Sequence, residues 1–174
     1  MRQEMEYEYK TMLTREEYFA LLPFFHDAVK IEQVNHYFLL PPAIQQKHRL
    51  TLRIRQIGEQ YRLQLKEQVD SHQFKEREVL LTTEEWEQAC QGKWKENEIL
   101  QFLQTKYQLT PEQLHYAGTL TTVRHQKEHP LGLFCCDHNT YLGTEDYELE
   151  VEVAPSTPLA IVLPFLEQQG IKYK

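Results

Sequence analysis

Polar and apolar residues alternate one by one along several stretches of this chain, which is the period of a half-buried β-strand. The pattern is cleanest from Leu50 to Ile57, where Leu50, Leu52 and Ile54 share one face and Thr51, Arg53 and Arg55 the other. Tyr61 to Lys66 repeats it, with Leu63 and Leu65 opposed to Arg62, Gln64 and Lys66, and Gly58-Glu59 between them predicts a hairpin turn. Further strands are predicted at Arg2 to Leu13, Ile31 to Leu40 (ending at Pro41-Pro42), Phe74 to Leu81, Gly118 to Gln126, Leu131 to His138 and Tyr147 to Val153. Helices are expected between them. Thr14 with Glu17, and Thr82 with Glu85, have the spacing of a capping box, and Pro23 limits or kinks the first helix. Glu98 to Tyr107 carries Ile99, Phe102, Leu103 and Tyr107 at helical spacing. Thr110-Pro111 and Thr157-Pro158 are start signals, and Gly170 is placed to end the last helix. With no repeat or linker, the order predicts one α+β domain over residues 1–174.

The strand faces carry charge in rows. Glu4, Glu6 and Glu8 alternate near the start, followed by Lys10, and Glu148, Glu150 and Glu152 alternate near the end, opposite Leu149, Val151 and Val153. Like charges aligned in this way repel, so such rows must be solvated or hold cations. Arg53, Arg55, Lys66 and Arg124 supply the opposite charge, again on strands. Acidic rows for a metal and basic rows for an anion point to a metal-bound polyanion such as a polyphosphate. A closed barrel with a filled polar interior is the architecture that brings such faces together. Taken singly, each row is ordinarily a solvent face or a set of salt-bridge partners, and Glu4 is read that way. The joint order of the rows is what argues for a site.

Composition narrows the function classes. A net charge of −7 argues against a nucleic-acid binder held by a broad basic surface, though cations gathered in one cleft can still take a small anion. No apolar stretch approaches the roughly 20 residues that cross a bilayer, and no signal-peptide core precedes the first strand. Cys90, Cys135 and Cys136 make no disulfide framework, so a reduced, cytoplasmic protein is expected. His125 and His129 sit in a strand context beside Pro130, which disfavours a helical metal pair. No base marks Cys135 or Cys136 as a nucleophile; one is expected to pack inward and the other outward.

Glu6-Tyr7-Glu8-Tyr9-Lys10 has the form ExExK; Gln33 to Phe38 follows, then Arg53-Ile54-Arg55, Leu63-Gln64-Leu65-Lys66, Gly118 to Arg124, Cys136-Asp137 and Tyr147-Glu148-Leu149-Glu150. In this order, over nearly the whole chain, these blocks resemble the CYTH superfamily, the triphosphate tunnel metalloenzymes, and within it the YjbK-type branch of Gram-positive bacteria. The resemblance implies an eight-stranded antiparallel β-barrel, the triphosphate tunnel, with peripheral helices. It implies a hydrolase of a triphosphate, inorganic triphosphate foremost, that requires Mg2+ or Mn2+. The alternatives are an adenylyl cyclase or a nucleoside or thiamine triphosphatase on the same scaffold, or a non-catalytic polyphosphate or nucleotide sensor. By position, Glu6, Glu8 and Lys10 would be catalytic. Lys10, Arg53, Arg55, Lys66 and Arg124 would hold the phosphates, and Glu6, Glu8, Asp137, Glu148 and Glu150 the metal. Glu76, Glu78, Glu152 and Lys172 are further candidates. Relatives continue past the last helix into a segment with more basic residues, whereas this chain stops at Ile171-Lys172-Tyr173-Lys174. Either Lys172 or Lys174 replaces that charge, or a basic residue is missing. The expected partner is a small anionic triphosphate, with no nucleic acid or membrane, for a monomer or homodimer.

Overall fold

The computed structural model describes residues 1–174. The alternating stretches become strands β1 (Arg2–Leu13), β2 (Val29–Leu39), β3 (Leu50–Ile57), β4 (Gln60–Gln68), β5 (Gln73–Leu81), β6 (His115–His129), β7 (Gly132–Tyr141) and β8 (Thr144–Glu152). Five helices join them: α1 (Arg15–Leu21), α2 (Pro42–His48), α3 (Thr83–Cys90), α4 (Glu98–Tyr107) and α5 (Leu159–Gln168). The strands form a closed barrel in the order β1-β5-β4-β3-β2-β6-β7-β8, with the antiparallel neighbours that the hairpins dictate. No helix is long and apolar enough to cross a membrane. Two compact units share the chain: Met1–Met5 with Gln33–Leu120, and Glu6–Glu32 with Thr121–Lys174.

In the first unit, Leu52 and Ile54 of β3 and Leu63 and Leu65 of β4 sink into one cluster with Ala89 of α3 and Ile99 and Leu103 of α4. Each fully buried aliphatic side chain of this kind contributes about 1.5–3 kcal/mol. The helices are fixed over the strands by the expected caps. Thr82 and Glu85 form a reciprocal capping box, and the Asn97 side chain accepts from the Leu100 amide. With the apolar row beneath helices, Arg53, Arg55, Gln64 and Lys66 stand on the other face of the wall.

One helix was not expected, and one is shorter than its start signal suggested. Pro41-Pro42 ends β2 as expected, but Pro42 also opens α2, because a first-turn position needs no N–H partner and suits the fixed φ of proline. Thr110-Pro111 starts only a 3-10 turn, Pro111–Gln113, although Thr110 and Gln113 do complete a capping box. Leu109 and Leu114 both belong to the buried cluster. The turn ends at once: the Leu114 amide donates to the Pro111 carbonyl, and Leu114 leaves with the extended dihedrals φ −98° and ψ 113°.

In the second unit, Tyr9 and Leu13 of β1, Phe134 and Cys136 of β7, and Leu149 and Val151 of β8 pack with Leu21 of α1 and Val162 and Leu166 of α5. The Thr14–Glu17 capping box starts α1. Gly170 follows α5 with φ 75°, the left-handed conformation that stops a helix. β8 begins earlier than the alternation suggested, because Leu142 and Gly143 both have positive φ, 47° and 74°, and close a tight hairpin with β7.

At the start of β7, Gly132 combines φ +150° with a near collision: a Cβ there would lie 2.2 Å from the Glu152 carbonyl oxygen. Strand β8 can approach this closely only because the position is glycine. Gly132→Ala is expected to lose about 2–3 kcal/mol of stability in urea denaturation; a midpoint matching wild type would show that the two strands part without cost.

Candidate active site

The polar faces of the two units are built differently. In the first, Arg53 Nε donates to Gln64 Oε1 at 2.8 Å, and Gln64 Nε2 passes a hydrogen bond on to Glu78 Oε1 at 2.7 Å. Arg53 Nη2 lies 4.0 Å from Glu76 Oε2. Arg55 Nε donates to Asn35 Oδ1 at 2.9 Å. The Nε of each guanidinium is therefore aimed by a neutral amide, while the Nη end of Arg53 also faces the Glu76 carboxylate. The register places Arg53 opposite Gln64 and Arg55 opposite Arg62 on β4, and Lys66 opposite Glu76 on β5. Lys66 Nζ stands 4.7 Å above the Phe74 ring. Glu78 is largely committed, since it also accepts from Arg62 Nη1 at 3.0 Å and faces Arg2 at 3.7 Å.

The second unit gathers carboxylates. Glu8 on β1 stands directly opposite Glu152 on β8, and Lys10 opposite Glu150. Glu6 and Glu152 bring carboxylate oxygens within 4.8 Å of each other. Glu152 is thus the member of the late acidic row beside Glu6, while Glu4, read from the sequence as a solvent face, is a partly exposed partner of Arg2 at 2.9 Å. On the other side of β8, Asp137 is directly opposite Glu148. Lys10 Nζ lies 4.0 Å from Glu148 Oε2. Asn139 Nδ2 donates to Asp146 at 2.9 Å and approaches Glu148 at 3.4 Å, while its own oxygen accepts from Thr122 at 2.7 Å.

Arg124 and Asp137 were expected to serve a phosphate and a metal separately, and the structure pairs them. Nε and Nη2 of Arg124 each donate to one Asp137 oxygen at 2.8 Å, and Nη2 also faces Glu150 at 3.8 Å. Burial opposes the Arg124 charge, yet Asp137 outweighs it and raises the pKa further. The Glu148 carboxyl is pushed above its ordinary range by burial and by Asp137 and Glu150, against the pull of Lys10 and Asn139. Cys135 turns to this polar face, with Sγ 3.8 Å from Gln126 Oε1, while Cys136 packs in the apolar cluster. Burial, chiefly, pushes both thiols up to about 12, so neither is a thiolate nucleophile.

The C-terminal segment runs along α1. The Lys172 amide donates to Glu17 at 2.9 Å, the Lys174 amide to Thr11 at 3.0 Å, and Lys174 Nζ lies 3.7 Å from Glu17. The Lys172 side chain is exposed. Gln64, Asn35 and Asn139 were given no role in the sequence reading. Their signal was polarity at strand positions whose row holds charged groups.

These donors are hard oxygens, and several face one another as like charges, which suits a divalent cation such as Mg2+ or Mn2+. The CYTH domain model matches residues 4–167. The chain belongs to the CYTH family. This CYTH chain is 36% identical over 157 residues to "Putative triphosphatase YjbK" of Bacillus subtilis (strain 168), covering 88% of the chain and 80% of that protein. It superposes with a TM-score of 0.87 on the crystal structure of a protein described as a "putative adenylate cyclase" from Bacillus halodurans, at 29% identity, covering 100% of this chain and 94% of that one. A Hippeastrum protein described as a "putative adenylyl cyclase" with a dominant triphosphatase activity shares the fold, with a TM-score of 0.78 at 17% identity over 98% of this chain and 90% of its own.

The raised Glu148 pKa has a stability consequence. A carboxyl that holds its proton more tightly when folded favours the fold at acid pH. That contribution is fully present below the unfolded pKa near 4.5 and is lost as pH rises through the folded pKa. Glu148→Gln should therefore raise the melting temperature of chelator-treated protein at pH 7 by more than at pH 4. An equal or reversed difference across that range would refute the burial and repulsion assigned to Glu148.

Proposed function

We propose that this protein hydrolyses a triphosphate, inorganic triphosphate foremost, with a divalent cation, and that residues 1–174 act as one domain. The likeness to the B. subtilis protein named as a triphosphatase carries the reading, and the charge rows are the groups that such a reaction requires. Phosphoryl transfer needs little covalent help from a protein; it needs the terminal phosphate aligned with water and the developing charge stabilised. Arg53 and Arg55, aimed through Nε by Gln64 and Asn35, donate from their Nη groups to phosphate oxygens. Lys10, Lys66 and Arg124 add to the neutralisation, with Arg124 oriented by Asp137. Glu6, Glu8, Asp137, Glu148, Glu150 and Glu152 would hold Mg2+ or Mn2+, which when bound supplies positive charge to the phosphate oxygens.

Phosphate release from inorganic triphosphate, thiamine triphosphate and ATP, measured with magnesium, manganese or chelator, tests the reading. Metal-dependent release fastest with inorganic triphosphate is expected. Arg53→Ala should lower it about 100–1000-fold, as loss of one fixed charge donor does, and Glu148→Gln or Glu150→Gln should abolish it without unfolding. Full activity in both glutamine variants would sink the assignment. The name of the B. halodurans relative favours a second reading, a cyclase; cyclic AMP formed from ATP in place of phosphate release would establish it.

A further inference from the structure

The same strands carry a second concentration of positive charge on their opposite face. Glu67 and Arg77 are the residues after Lys66 and Glu76 on β4 and β5, so they project to the other side of the wall. There they meet the end of α4, where Glu67 accepts from Lys106 Nζ at 2.8 Å, from the Tyr107 hydroxyl and from Arg77 Nη1. A cavity of about 520 Å³ opens at this point, between the ends of α2 and α4 and the β4–β5 turn. That volume falls within the range of small-molecule sites.

Five cations line the cavity, Lys47, Arg49, Lys75, Arg77 and Lys106, against two carboxylates, Glu67 and Asp70. The balance is strongly positive in a chain whose net charge is −7. The two carboxylates do not offset it. Glu67 is taken by Arg77 and Lys106, and Asp70 Oδ1 accepts from the His72 and Gln73 amides of its own turn. Lys47, Arg49 and Lys75 have no carboxylate within ion-pair distance. Arg77 is 7% exposed, lies 3.7 Å over the Phe102 ring, and has an Nε with no acceptor. A buried guanidinium beside three uncompensated cations concentrates positive charge around one cavity, and an anion seated there would offset it.

We propose that this cavity is a second anion site, on the face of the wall opposite Arg53 and Lys66, that takes a compact phosphate-bearing ligand of the size of inorganic diphosphate. A fixed arginine flanked by lysines, two of them without a carboxylate partner, suits several phosphate oxygens on a small centre. Glu67 serves as the positioning residue that holds Arg77 and Lys106 at the rim. The site does not depend on hydrolysis by the residues of the other face.

Titration calorimetry with inorganic diphosphate in the presence of chelator, where nothing turns over, is the test. Wild type is expected to bind two equivalents. Lys47→Gln/Lys75→Gln, which changes two residues outside the buried core, should bind one, with triphosphate hydrolysis unchanged. Arg53→Gln/Arg55→Gln should lose the other equivalent and retain the one removed by Lys47→Gln/Lys75→Gln. If wild type binds a single equivalent that Lys47→Gln/Lys75→Gln abolishes, the outer site stands and the phosphate role of Arg53 and Arg55 is the reading in trouble. If Lys47→Gln/Lys75→Gln binds diphosphate with the stoichiometry and affinity of wild type, the proposed site is overturned.

Discussion

Strands β1 and β8 hold Glu8 directly opposite Glu152, and β7 and β8 hold Asp137 opposite Glu148. Like charges set across a ladder repel, and the rest of the second unit depends on how that repulsion is contained. It is contained from behind. Tyr9, Phe134, Leu149 and Val151, on the reverse of the same strands, are buried against α1 and α5. Each such residue contributes about 1.5–3 kcal/mol, whereas an unfavourable cross-strand pair costs about 0.2–1 kcal/mol. The apolar face therefore decides the register, and the carboxylates are held closer together than they would settle by themselves. A set of oxygens held under mutual repulsion is prepared for a cation, because the protein has already borne the cost of assembling them.

The cations are prepared by two different means, and the difference has consequences. Arg53 and Arg55 are oriented through Nε by the neutral amides of Gln64 and Asn35, with the Glu76 carboxylate standing 4.0 Å from Arg53. Arg124 is oriented by the bidentate grip of Asp137, a fully buried carboxylate that offsets most of its field. Asp137 grips Arg124 by two hydrogen bonds, whereas Glu76 only approaches Arg53 at 4.0 Å, so Arg53 leaves more of its field to an incoming polyanion. Arg124 with Asp137 acts more as a near-neutral rigid brace that keeps Glu148 and Glu150 in place. Sequence spacing gives the three arginines equal standing; their partners rank them.

Much of the fold was legible because each local signal had a single physical cause. Alternation placed the strands, and the Thr14–Glu17 and Thr82–Glu85 boxes started their helices as expected. What stayed hidden lay where one residue serves two neighbours, as when Pro42 both follows β2 and opens α2, or where a start signal opens a single turn only, as at Thr110-Pro111. At the site, rows were legible and pairings were not. Charged residues announce their chemistry, but the amides of Asn35, Gln64 and Asn139 acquire a role only through cross-strand neighbours. The register that sets Arg124 opposite Asp137 is fixed by turn lengths and packing that a single strand does not reveal.

Register also keeps the two charged faces of β4 and β5 distinct. Lys66 and Glu76 pair on one side of the wall, and Glu67 and Arg77 meet on the other. These are adjacent residues of the same charged types, so a slip of one position along either strand would exchange the faces. It would set Glu67 among Arg53 and Arg55, and Lys66 beneath α4. What forbids the slip is the row that shares the outward face: Leu63 and Leu65, both fully buried, would have to turn into the polar side. The cluster under α3 and α4 is therefore what assigns each charge to its side of the wall, and the chemistry of either face is only as secure as the packing of those leucines.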